Sequence, residues 1–223
     1  MNAQNSLDAF ENSLSRLGKS KNTIRIYSNI VRQYNGSGFS DPLDWIIDSR
    51  NNGASPSTLK SRTAAMKAWS DHSGATAARE SLGNYKLPTV GAPSPHPVPG
   101  GIVVVRAAIA LETNRAIKVA IALGGFAGLR VSETISVKPI NWDRAANVLV
   151  ITGKGGKTRK VPVSNELAEI LEQNMPANQN ACFVDYADRW TREKITKAFH
   201  RLSVTHSDGA GISSHDLRAT FAT

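Results

Sequence analysis

The sequence predicts a mainly α-helical protein with a small antiparallel β-sheet, divided into a helical N-terminal domain and an α+β C-terminal domain. Three observations carry that expectation. Apolar residues recur at helical spacing through most of residues 1–83. Five of the ten prolines fall between 84 and 100, in a tract without helical or strand period. From 101 to 223 helical stripes resume, interrupted by two strand-like runs around Gly153-Lys154-Gly155-Gly156.

The elements follow in order. Leu7, Phe10, Leu14 and Leu17 mark a first helix, and Ile24, Tyr27, Val31 and Tyr34 mark a second that Gly36 closes. Asp41-Pro42 and Ser55-Pro56 each pair a cap with proline at the first helical position. They open helices bearing Leu43, Ile46 and Ile47, then Leu59, Met66 and Trp69. Residues 84–100 read as a semi-extended linker and the domain boundary. Residues 102–111 are ambiguous: Val103-Val104-Val105 favours strand and Ala107 to Leu111 favours helix. Ala116, Val119, Ala120 and Leu123 predict a buried helix that Gly124-Gly125 interrupts, and Gly128-Leu129-Arg130 leads into a short helix through Ser136. Strands are expected at 148–152 and 160–163, with the glycine-rich turn between them. Helices are expected at 165–173, at 191–202, and from His215 onward.

Composition narrows the partners. The 27 basic and 18 acidic side chains give a net charge of +9 and a pI near 9.9. Both halves share the excess: 11 basic and 7 acidic residues lie in 1–90, 16 and 11 in 91–223. Such a balance favours a polyanion, through counterion release, and suits a two-sided clamp better than a basic tail. On the first domain, Arg25, Arg32, Lys60, Arg62 and Lys67 lie opposite the apolar stripes. No apolar run is long enough to span a bilayer, and the N-terminus lacks a signal pattern. The single cysteine, Cys182, excludes an internal disulfide and a cysteine-based zinc cluster, so a cytoplasmic setting and no metal are expected.

Three motifs carry chemistry. Gly156-Lys157-Thr158 mimics the end of a phosphate-binding loop, but the first glycine of that motif is Ile151 here and the turn leads into a strand, so nucleotide binding is rejected. A lysine in a mobile hairpin turn can instead enter a DNA groove and donate a proton to a leaving oxygen. Arg130 follows a glycine turn at a helix start, and Arg218 lies three residues after His215, on the same helical face. Two guanidinium forks around one phosphate neutralise the charge that grows on its oxygens during in-line attack. A neighbouring imidazole handles the nucleophile's proton. The set needs no metal and no cofactor.

The order Gly128-Leu129-Arg130-Val131-Ser132-Glu133, then Thr152-Gly153-Lys154-Gly155-Gly156-Lys157-Thr158-Arg159, then His215-Asp216-Leu217-Arg218 resembles the tyrosine recombinases, the phage integrase family. The resemblance implies a core-binding domain at 1–83, a linker at 84–100 and a catalytic domain from 101 to 223. It implies that Arg130 and Arg218 are the catalytic arginines, Lys154 the hairpin lysine, His215 the catalytic histidine and Glu133 their acidic support. Arg25, Lys60, Arg62, Lys67, Lys157 and Arg159 are then DNA contacts. The implied reaction is DNA cleavage and rejoining through a 3′-phosphotyrosyl link, on an inverted-repeat site in double-stranded DNA, by a homo-oligomer.

Departures shape the expectation. Ala219 stands where relatives often carry a histidine, and Asn141 at a commonly acidic position. The family's nucleophilic tyrosine lies a few tens of residues beyond the second arginine, whereas Thr223 comes five residues after Arg218. Tyr27, Tyr34, Tyr85 and Tyr186 all precede the second motif. Residues 1–223 are therefore expected to bind DNA without cutting it. The end after Phe221-Ala222-Thr223 is expected to leave apolar surface uncovered. Alternative readings are a non-cleaving regulator of recombination sites, a split site whose tyrosine comes from another chain, and a type IB topoisomerase-like enzyme.

Overall fold

A computed structural model describes residues 3–89 and 96–223, without the side chains of 3–5 and 154. Pro93 and Pro95 of the proline tract and the Lys154 side chain thus lie outside the described residues. The described residues fall into two compact units, one within Met1–Ala92 and one within Pro93–Thr223. The described residues are mainly α-helical with one small antiparallel sheet, as the periodicity predicts.

The first unit has five helices: α1 (Ala3–Arg16), α2 (Lys21–Asn35), α3 (Pro42–Asn51), α4 (Pro56–Ser73) and α5 (Thr76–Asn84). The caps expected at Asp41 and Ser55 form, and Ser20 supplies a third that sequence reading did not single out. Ser20 accepts from the Thr23 amide at 3.2 Å, Asp41 from Leu43 at 2.7 Å and Ser55 from Thr58 at 3.2 Å, each satisfying an orphan donor of its helix. Leu7, Phe10 and Leu14 of α1 pack on Val31, while Trp45, Ile46, Leu59, Met66 and Leu82 form an adjoining cluster. Leu17 departs from expectation. The first helix ends at Arg16, Gly18 turns the chain at φ 69°, and Leu17 is 71% exposed. Helix α5 has only one buried side chain, Leu82, too sparse a stripe to be legible. Tyr85 and Leu87 still pack on the first core, and Val98 belongs to the second.

The second unit is built around α7 (Arg115–Ala127), with α6 (Gly101–Leu111) before it and α8 (Val131–Thr134) after it. Strands β1 (Trp142–Asp143), β2 (Val148–Thr152) and β3 (Thr158–Pro162) pair antiparallel in that order, with Leu149 opposite Val161 and Thr152 opposite Thr158. Helices α9 (Asn165–Gln173), α10 (Asp188–His200) and α11 (Ser214–Phe221) complete it. The ambiguous 102–111 segment is helical, burying Val105, Ala108 and Ile109 at helical spacing.

The expected break at Gly124-Gly125 is absent, and α7 runs through both glycines. A Cβ on Gly124 would stand 3.0 Å from Leu217, and one on Gly125 would stand 2.6 Å from Val105. The two glycines are contact points where α11 and α6 press on α7, which sequence alone does not distinguish from a breaker. The chain turns instead at Gly128, left-handed at φ 59°, and that turn delivers Arg130 to the start of α8. Helix α8 ends at Thr134, short of the expected Ser136.

Candidate active site

Glu133 organises the site. Its side chain is 3% exposed, at the third position of α8. Oε2 accepts the Arg130 backbone N–H at 2.8 Å, which caps α8, while Oε1 accepts from Arg130 Nη1 at 3.1 Å. Arg159 of β3 donates a fork to the same carboxylate, Nη1 to Oε1 and Nη2 to Oε2, both at 2.8 Å. Arg218 of α11 brings Nη1 to 4.0 Å from Oε2 and also donates to the Gly128 carbonyl oxygen. Groups from three segments, the start of α8, β3 and α11, thereby converge on one carboxylate.

The electrostatics follow. The Arg159 fork, opposed by burial and aided by the Arg130 amide, draws the Glu133 pKa down to about 2. The hydrogen bonds to Glu133 raise the pKa of Arg159. Burial lowers that of Arg218, and repulsion from Arg130 adds to it. Three guanidinium groups around one carboxylate leave an excess of two positive charges, which suits an oxyanion.

The expected residues are brought together unevenly. Arg130, Glu133 and Arg218 meet as described. His215 is exposed in the first turn of α11, one turn before Arg218; its backbone N–H donates to Ser213 Oγ at 3.2 Å. Buried Asp216 accepts the Ser213 amide at 2.6 Å and closes the capping box of α11, a structural role that sequence reading passed over. The backbone of Lys154 opens the turn between β2 and β3. A Cβ on the preceding Gly153 would stand 3.3 Å from Glu133 Oε1. The root of the hairpin turn therefore abuts the arginine cluster. Lys157 is exposed in that turn.

Arg159, expected as a phosphate contact, directs two of its guanidinium N–H groups to Glu133. One sequence signal points inward: Arg159 shares the alternate face of β3 with buried Val161. In the first unit, Arg25 and Lys60 are exposed and Lys67 is half-buried. Arg62 lies over the Trp45 ring, 4.6 Å from its centroid, and donates to Ser49 Oγ. Among the described residues no group of three or more acidic, histidine or cysteine side chains could hold a metal ion, and no helix is long and apolar enough to cross a membrane.

Comparison with known proteins adds three findings. Residues 107–223 match the family model described as the phage integrase family. Tyrosine recombinase XerA of Pyrococcus horikoshii is 28% identical over 230 residues, covering 97% of this chain and 78% of that protein. A lambda integrase dimer bound to a COC′ core site superposes with a TM-score of 0.74, covering 100% of this chain and 86% of that one; at 13% identity this shows a shared fold.

Proposed function

The chain belongs to the phage integrase family, and we propose on that premise that it binds duplex DNA and serves site-specific recombination. The observation that carries the reading is the arginine cluster on Glu133 at the root of a glycine-rich hairpin turn. An in-line transfer at a phosphodiester builds negative charge on the non-bridging oxygens, and Arg130 and Arg218 are the residues to receive it. Their side chains are 52% and 38% exposed, with N–H groups left over from their protein partners.

In the proposed reaction a tyrosine hydroxyl oxygen bonds to phosphorus, the bond to the 5′-oxygen breaks, and a 3′-phosphotyrosyl link stores the phosphoester. His215 takes the tyrosine proton, and Lys154 gives a proton to the departing 5′-oxygen. Rejoining reverses these transfers without nucleotide. Tyr186 is the one tyrosine in the same unit as the arginines, and its hydroxyl lies 3.1 Å from Asn114 Nδ2. A polypeptide of residues 1–223 is therefore proposed to bind DNA and leave it intact. By analogy with the lambda integrase tetramer bound to a Holliday junction, the DNA-bound form is proposed to be a homo-oligomer, on an inverted-repeat site.

The test is the affinity of the chain for a 30-base-pair duplex pool of random sequence, measured against salt. With both units basic, log Kd should rise steeply with log salt, by about 0.9 per phosphate contacted. Salt-independent binding, or none, overturns the proposal. Retention of a sequence subset after repeated selection separates a recombination site from non-specific relaxation chemistry.

A further inference from the structure

We propose that Arg159 is a positioning residue that locks the β2–β3 hairpin to the phosphate-binding arginines through Glu133. The inference rests on the reading above and assigns Arg159 a different task from the phosphate contacts.

Four acceptor positions of the Glu133 carboxylate are taken: two by Arg159, one by the Arg130 amide and one by the Arg130 side chain. An ionised carboxylate offers about four. The carboxylate is thus saturated, and β3 is tied to the first turn of α8 by a planar fork that fixes orientation as well as distance. Of the three arginines, Arg159 has the least exposed side chain, 35% against 38% for Arg218 and 52% for Arg130.

The lock reaches the turn that carries Lys154. Gly153 lies beside both ends of the fork, its hypothetical Cβ 3.3 Å from Glu133 Oε1 and 3.6 Å from Arg159 Nη1. The Gly153 amide donates to the Lys157 carbonyl at 2.8 Å, closing the root of the turn just before Arg159. Beyond that root Gly155 and Gly156 both take left-handed backbone, at φ 78° and 75°. The two left-handed glycines bring no side chains to pack the turn while its base is anchored, so Arg159 sets where it starts relative to Arg130.

The test compares Arg159→Lys and Arg159→Gln with wild type, since lysine keeps the charge and loses the fork. Three quantities are read: duplex affinity against salt, the protonation of the Glu133 carboxyl by carbon-13 NMR, and amide exchange at Gly153. For a positioning residue both variants behave alike. Glu133 titrates upward from about 2, Gly153 exchange speeds up at least tenfold, and the salt slope stays within 0.3 of wild type. A phosphate contact gives the opposite pattern: Arg159→Gln loses about one unit of slope, Arg159→Lys retains it, and Glu133 and Gly153 do not change. That pattern overturns the proposal, as does an unchanged Gly153 in two folded variants. If wild type binds no DNA, the functional reading fails by itself, while Glu133 and Gly153 still decide the task of Arg159.

Discussion

Gly125 of α7 lies so close beneath Val105 of α6 that a Cβ there would stand 2.6 Å from Val105 Cγ1. Helix propensity alone makes Gly125→Ala favourable by about 0.5–1 kcal/mol. Val105 is fully buried and β-branched, so it has little room to yield. Overpacking costs about 1–3 kcal/mol and should win. The variant is expected to have a lower urea midpoint than wild type. Gly83→Ala in α5 is the control, because its nearest neighbour would be the end of the Arg79 side chain at 3.8 Å. It should be neutral or stabilising, and a gain at both positions would refute the packing argument.

Glu133 sets an acid limit on stability. Its folded pKa of about 2 lies below the ordinary carboxylate value, near 4.3. The pairing therefore contributes fully above about pH 5 and is lost as pH falls through the window from about 4.3 to 2. Its linkage contribution is on the order of 3 kcal/mol. Glu133→Gln cannot titrate, so its deficit in denaturation free energy should shrink across that window. Parallel curves for the two proteins would argue against the ionised hub.

Arg130 and Arg218 should behave unlike Arg159. Each has N–H groups not spent on protein partners and a side chain at least 38% exposed. Replacing either by alanine is expected to lower the salt slope of duplex binding by about one unit and to weaken binding across all sequences. Electrophoretic mobility shifts at four salt concentrations would measure it. An unchanged slope removes that residue from the phosphate site.

Glu112 anchors the other side of α7. With its side chain 3% exposed, it accepts the Asn114 amide at 2.8 Å and pairs with Arg201 just after α10. Arg201→Ala leaves a buried carboxylate short of its cation and should cost about 1–3 kcal/mol. Glu112→Gln in the same background should recover part of that loss, as a double-mutant cycle in urea would show.

Much of this was legible because it is local. Asp41 and Ser55 cap helices two or three residues away, and Asn165 to Gln173 carries its own stripe, so a short window sufficed. Gly124 and Gly125 were misjudged because their reason lies in Leu217 and Val105, distant along the chain. The two-residue β1 is too short for any period. At the site, Arg130, Glu133 and Arg218 were readable from their motif. The fork of Arg159 was not, since its partner stands 26 residues earlier. Its position on the inward face with Val161 was the one available cue.

The shared carboxylate also constrains the order in which such a chain can change over generations. Loss of one arginine leaves Glu133 with another cation at hand, so the step is survivable for folding. Loss of Glu133 instead leaves three neighbouring guanidinium groups without their shared counter-charge, and their mutual repulsion is felt by all of them at once. For folding, each arginine is therefore individually more replaceable than the acid that all three share.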